Sequence, residues 1–130
     1  MERGLIWFIP AILVALGILA LSTFLSIPIK VEGVHYIDKW EHAFAYLVLS
    51  FSFLLALKKS QRFTRQISII VLFSAGIYGF VLEYIQYQFF ASRHFEWTDA
   101  LANVLGTILG FSIFHFLIQG KMRGRPGKNF

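Results

Sequence analysis

The sequence predicts an all-α protein, a bundle of four membrane-spanning helices that forms a single domain over residues 1–130. Of the 130 residues, 57% are hydrophobic and only 15% are charged, whereas soluble domains carry about 25% charged residues. The apolar residues fall into four blocks, and each block is close to the roughly 20 residues that a membrane-spanning helix needs. Only short polar segments separate the blocks, so we expect no separate soluble domain.

The first span is predicted at about residues 5–27. It contains Pro10 and Gly17, and membrane helices tolerate both residue types. A signal peptide has an apolar core of about 7–15 residues, and this block is clearly longer. We therefore expect a helix that is not cleaved from the protein.

The other three spans are predicted at about residues 40–57, 67–90 and 99–119. A basic loop follows the second span, and the third span contains Glu83, the only carboxylate deep within an apolar block. Asp38 and Asp99 stand where the second and fourth spans begin. An aspartate at a helix start can accept hydrogen bonds from free backbone N–H groups, so helix capping is an alternative role for both residues.

The distribution of basic residues predicts the orientation. Four spans place both termini on one side of the membrane, and cytoplasmic loops carry an excess of Lys and Arg. With a cytoplasmic N-terminus, the outer side holds only Lys30, Lys39 and Arg93. The inner side then holds Arg3, Lys58, Lys59, Arg62, Arg65, Lys121, Arg123, Arg125 and Lys128. We therefore predict that both termini are cytoplasmic.

The net charge of +5 does not indicate a nucleic-acid partner, because the basic residues flank the apolar blocks and act as topology signals. Membrane lipids are the expected partners. The sequence has no cysteine, which excludes disulfides and thiolate chemistry.

Three polar clusters lie at the predicted outer ends of the second, third and fourth spans. Their spacing of three or four residues places the members of each cluster on one helix face. Turning these side chains toward lipid would cost several kcal/mol each. We therefore predict one outward-facing pocket, built from Asp38, Lys39, His42, Tyr46, Glu83, Gln86, Arg93, Asp99 and Asn103.

Small residues on the fourth span predict close helix packing. Gly106 and Gly110 are four residues apart, a spacing that lets a neighbouring helix approach closely.

The motifs of residues 38–110 resemble the signature of the VanZ-like membrane proteins. The resemblance is carried by Asp38-Lys39-x-x-His42-x-x-x-Tyr46, Glu83-x-x-Gln86, and Arg93 followed by Asp99-x-x-x-Asn103-x-x-Gly106-x-x-x-Gly110. It implies a bacterial multi-pass protein of the cytoplasmic membrane and cell envelope. The founding member is associated with resistance to teicoplanin, a glycopeptide antibiotic that acts on the outer face of that membrane.

Several functions fit the predicted pocket. The leading hypothesis is recognition of an envelope lipid or a lipid-linked cell-wall precursor. Lys39, Arg93 and two helix N-termini would attract the phosphate of such a ligand to the pocket. The alternative is a hydrolase or transferase acting on a lipid-linked phosphate, with His42, Glu83 and Asp38 as candidate catalytic residues. A third hypothesis is a structural scaffold.

The same side chains offer ligands for a divalent metal. Asp and His four residues apart can bind one ion from one helix face, and the candidate ligands are Asp38, His42, Glu83 and Asp99. The competing interpretation is a buried network of salt bridges in which Lys39 and Arg93 neutralise the carboxylates.

Overall fold

The structure is a computed structural model that describes the backbone of residues 2–24, 35–89 and 95–123 and the side chains of residues 4–23, 39–89 and 95–118. A 3₁₀ helix, Glu2–Phe8, leads into the first α-helix. The α-helices are α1 (Ile9–Phe24), α2 (His35–Lys59), α3 (Arg65–Phe89) and α4 (Trp97–Arg123). The described residues contain no strand, which confirms the predicted all-α class.

Four helical segments are long and apolar enough to cross a membrane, and the first of them includes part of the 3₁₀ helix together with α1. These segments are Gly4–Thr23, Lys39–Lys59, Arg65–Phe89 and Trp97–Ile118. Large apolar side chains such as Trp40, Phe73 and Phe116 are exposed on the outside of the bundle. A surface of this kind is unfavourable in water but suits contact with lipid chains.

The helix starts differ from the prediction in a way that matters for the polar residues. Helix α2 begins at His35, five residues before the predicted start, and α4 begins at Trp97. Asp38 and Asp99 therefore lie inside the first turns of their helices, a position that does not fit the alternative role of capping residue. The apolar block marks where a helix can enter hydrocarbon, whereas the helix itself continues into the polar interface.

Helices α2 and α4 form the most extensive helix contact among the described residues. A Cβ atom on Gly106 would overlap the backbone carbonyl of Ala43, and one on Gly110 would overlap the Leu47 carbonyl and the Ser50 side chain. The predicted close approach at these glycines is therefore confirmed, and the partner helix is α2.

Helix α1 is joined to α3 by two described hydrogen bonds. The Tyr78 hydroxyl donates to the carbonyl of Ala15 at 2.6 Å, and the Gln86 side-chain amide donates to the carbonyl of Ser22 at 2.7 Å. Both contacts advance in the same direction along the two helices, so α1 and α3 run parallel.

Contacts between the remaining helices define one end of the bundle. Lys39, near the start of α2, reaches Asp99, near the start of α4. His42 lies 4.0 Å from Glu83, which is close to the end of α3. The starts of α2 and α4 and the end of α3 therefore meet, as an up-and-down arrangement of these three helices requires.

Candidate functional site

The centre of this end of the bundle is a cluster of His42, Glu83 and Asp99, one residue from each of three helices. The Nε2 atom of His42 lies 4.0 Å from Glu83 Oε1 and 4.0 Å from Asp99 Oδ2. One potential metal-binding atom from each residue lies within 4.8 Å of the other two. Glu83 and Asp99 are only 5% and 4% exposed. The sequence therefore places two carboxylates and an imidazole together inside an apolar bundle.

Lys39 holds the outer edge of the cluster. Its Nζ atom lies 3.0 Å from Asp99 Oδ1 and 3.1 Å from Glu96 Oε2. A buried carboxylate is costly without a partner, and Lys39 supplies one to Asp99 from the neighbouring helix. The ion pair uses Oδ1 of Asp99, whereas Oδ2 faces His42.

A second polar layer lies one helical turn further into the bundle. Tyr46, Gly79 and Asn103 are each four residues along their helices from a member of the His42 cluster, and all three are buried. A Cβ atom on Gly79 would lie 2.9 Å from Asn103 Nδ2 and 3.1 Å from the Tyr46 ring. Glycine at position 79 thus makes room for the tyrosine and the amide to meet.

Asn103 has an unusual feature within this layer. Its Oδ1 atom is buried and accepts no hydrogen bond from the described residues. A buried acceptor without a donor costs about 1–3 kcal/mol. A hydrogen bond donated to this oxygen by a group outside the described residues would therefore remove that cost.

Gln86 is buried close to Glu83 in sequence, but its described hydrogen bond goes to Ser22 on α1. This contact gives Gln86 a role in holding α1 against α3. The predicted pocket residues thus divide between a cluster at the α2–α3–α4 junction and a contact at the α1–α3 junction.

Two predicted pocket residues lie outside what the structure describes. The Asp38 side chain is not among the described side chains, and Arg93 lies outside the described residues. Their proposed contributions to the pocket stay predictions.

Two residues of this region were not predicted from the sequence. Glu96 pairs with Lys39 at the rim, and it could have been suspected from its position three residues before Asp99. Ser50 is fully buried and donates a hydrogen bond to the carbonyl of Thr107 at 3.2 Å. It continues the four-residue spacing of His42 and Tyr46, so extending that stripe by one turn would have found it.

Charge decides which ligands the described part of the site favours. Glu83, Glu96 and Asp99 provide three carboxylates, and Lys39 provides one ammonium. Carboxylate oxygens accept hydrogen bonds and attract cations, so these side chains suit a cation or a group with hydrogen-bond donors.

Two carboxylates also lie near the one imidazole of the cluster, and these group types can take part in proton transfer. The other histidine with a described side chain, His115, lies near the opposite end of α4. It packs against Phe111 with ring centroids 4.3 Å apart and against Phe63 at 6.3 Å. Of the two histidine side chains that the structure describes, only that of His42 is placed for chemistry with carboxylates.

Comparison with known proteins adds no relative to this description. No family model, no curated protein and no solved structure matches the chain, and the resemblance to VanZ-like proteins is therefore carried by the sequence motifs alone.

Proposed function

We propose that this protein is a VanZ-like, multi-pass protein of the bacterial cytoplasmic membrane that recognises an envelope lipid or a lipid-linked cell-wall precursor. The proposed binding site is the cluster of His42, Glu83 and Asp99 together with its neighbours Lys39 and Asn103. By binding such a component at the outer membrane face, the protein would alter the access of glycopeptides such as teicoplanin to their target.

The observation that carries the proposal is the meeting of ionisable groups from three helices, two of them buried carboxylates, at one end of an apolar bundle. Ionisable side chains within membrane helices are costly and commonly serve a ligand or an ion. A scaffold could lock its helices with neutral hydrogen bonds at lower cost. The cost of this cluster therefore supports a binding function over a purely structural one.

The orientation supports the same assignment. The basic loop between α2 and α3 lies at the opposite end of the bundle from the cluster, because the cluster is near the start of α2 and the end of α3. By the excess of Lys and Arg in cytoplasmic segments, we propose that the cluster faces outward and that both termini are cytoplasmic.

The chemistry of the cluster suggests how a ligand is recognised. Carboxylates and the Asn103 oxygen accept hydrogen bonds, so they suit the hydroxyl, amide and ammonium groups of a sugar- or peptide-bearing headgroup. Exposed aromatic side chains at the same end, such as Trp40 and Trp97, suit the interface between headgroups and lipid chains.

The test is native mass spectrometry of the protein released from membranes with its bound lipids. We expect a bound lipid or precursor on the wild-type protein and its loss in Glu83→Gln, which keeps the side-chain shape and removes the charge. Glu41→Gln is the matched control, because Glu41 is an exposed carboxylate on the same end of α2. Equal occupancy in all three proteins would contradict recognition at this cluster.

The enzyme hypothesis is supported by one observation, the placement of His42 Nε2 at 4.0 Å from two buried carboxylates. A histidine oriented in this way could act as a general base on a lipid-linked phosphate. Conversion of such a lipid by the wild-type protein but not by His42→Ala, with binding retained in the variant, would favour catalysis over recognition alone.

A further inference from the structure

We propose that His42, Glu83 and Asp99 form a binding site for one divalent transition-metal ion. The inference goes beyond recognition of an envelope component, since an ion can bind whether or not a lipid does. Three of the four side chains that the sequence offered as metal ligands are brought together by the structure, while the side chain of the fourth, Asp38, is not described.

The geometry of the three side chains is close to that of a metal site. Zinc binds histidine nitrogen and carboxylate oxygen at about 2.0–2.2 Å, which places neighbouring ligand atoms of a tetrahedral site about 3.4 Å apart. His42 Nε2 is 4.0 Å from each carboxylate. These separations are too long for direct hydrogen bonds. All three ligand atoms lie within 4.8 Å of one another, so side-chain movements of roughly 1 Å would bring them to ligand spacing.

The three ligands come from α2, α3 and α4, so the bundle itself fixes their positions. Exposed acidic clusters are common without a metal, but both carboxylates of this cluster are buried and its third member is an imidazole. A nitrogen ligand with two carboxylates suits a borderline ion such as Zn²⁺ better than Ca²⁺, which prefers oxygen ligands alone.

The neighbouring residues have the character of a supporting shell. Lys39 engages Asp99 Oδ1 and leaves Oδ2 facing His42, an outer contact of the kind that fixes the orientation of a ligating carboxylate. Asn103, one turn along α4 from Asp99, is 2% exposed and has an Oδ1 atom without a donor among the described residues.

The experiment uses the full chain without a polyhistidine tag, purified in detergent, stripped with a chelator and dialysed against Zn²⁺. We expect about one tightly bound ion per wild-type chain, measured by elemental analysis, and a higher unfolding temperature with Zn²⁺. The affinity should fall at least about 10-fold in His42→Ala and in Glu83→Gln, since even the loss of an outer-shell partner commonly costs that much.

Matched controls separate this site from adventitious binding. His115→Ala removes a histidine that packs among phenylalanines at the other end of α4, and Glu41→Gln removes an exposed carboxylate. Both should bind Zn²⁺ like the wild type. If His42→Ala does not fold, Glu83→Gln gives the same test with a side chain of nearly unchanged shape.

Two results would overturn the metal site: a wild-type chain that retains no Zn²⁺, or equal binding by the wild type and both site variants. A wild-type chain that binds no Zn²⁺ but keeps a lipid adduct lost in Glu83→Gln would end the metal proposal and leave the recognition function standing. A wild-type chain that binds Zn²⁺ at this site but carries no lipid adduct would contradict the recognition function and leave the metal site standing.

Discussion

Lys39 forms two ion pairs beside the cluster, one with a buried carboxylate and one with an exposed carboxylate. Lys39 serves two carboxylates with different surroundings, because the side chain of Asp99 is 6% exposed and that of Glu96 is 53% exposed. The same ammonium group therefore makes one ion pair in a largely buried place and one at the surface. Their contributions to stability should differ accordingly.

We predict that Lys39→Met destabilises the protein by about 1–3 kcal/mol, because the buried Asp99 carboxylate loses its partner. Glu96→Gln should change the free energy of unfolding by less than about 1 kcal/mol, as exposed ion pairs contribute little. Titration of the detergent-solubilised proteins with sodium dodecyl sulfate measures both changes. A larger effect of Glu96→Gln than of Lys39→Met would show that the buried pair is not the important one.

Helix elements meet most closely where α4 presents Gly106 and Gly110 to α2. At Gly106 the atoms in the way of a side chain belong to the backbone of Ala43. Backbone atoms cannot rotate aside, so any larger residue must push the two helices apart. The separation of α2 and α4 in turn sets the distance between His42 and Asp99.

We predict that Gly106→Ala destabilises the bundle by about 1–3 kcal/mol, the usual cost of overpacking. It should also weaken binding at the cluster, because α4 moves away from α2. Gly76→Ala on α3 is the control, since a Cβ atom there has nothing within 4 Å. If the unfolding curves of the two variants coincide, the close contact at Gly106 is contradicted.

The helices themselves were predictable to a large extent. Block length and apolar composition gave four spans and the all-α class, because hydrocarbon requires about 20 apolar residues per helix. The starts of α2 and α4 were not predictable from the same signal. Hydropathy reports whether a segment suits the hydrocarbon core, and it does not report whether a polar segment is helical. The helical residues before the predicted starts, 35–39 and 97–98, were therefore missed.

For the candidate site, the sequence allowed a prediction of which residues share a helix face, but it did not allow a prediction of which residues meet across helices. The four-residue spacing from His42 to Tyr46 and from Asp99 to Asn103 gave the face of each helix, and burial of these residues follows from the cost of exposing polar groups to lipid. Spacing within a helix carries no information on partners across helices. Gln86 shares a face with Glu83 yet donates to Ser22 of α1, and Lys39 reaches Glu96, which lies outside the spacing pattern.

At the scale of the whole molecule, the proposed orientation has the cluster at the outer face and both termini in the cytoplasm. The basic loop between α2 and α3 and the basic C-terminal segment should then lie inside. We predict that a fluorescent protein that folds only in the cytoplasm is active when fused to the C-terminus. A phosphatase that requires export should be inactive at the same position, and the reverse result would place the cluster on the inner side.

The meeting of distant polar residues is the central claim, and the lack of native cysteine allows a direct test. His42 and Glu83 are replaced by cysteine, and the protein is treated in membranes with a short, permeant bifunctional thiol reagent. The control pair combines Glu83→Cys with Trp40→Cys, because Trp40 is exposed on the same part of α2. We predict an intramolecular cross-link in the first pair and little in the control, identified by mass spectrometry of the linked peptides. A cross-link that forms only in the control pair, or in neither pair although all cysteines react singly, would contradict the account.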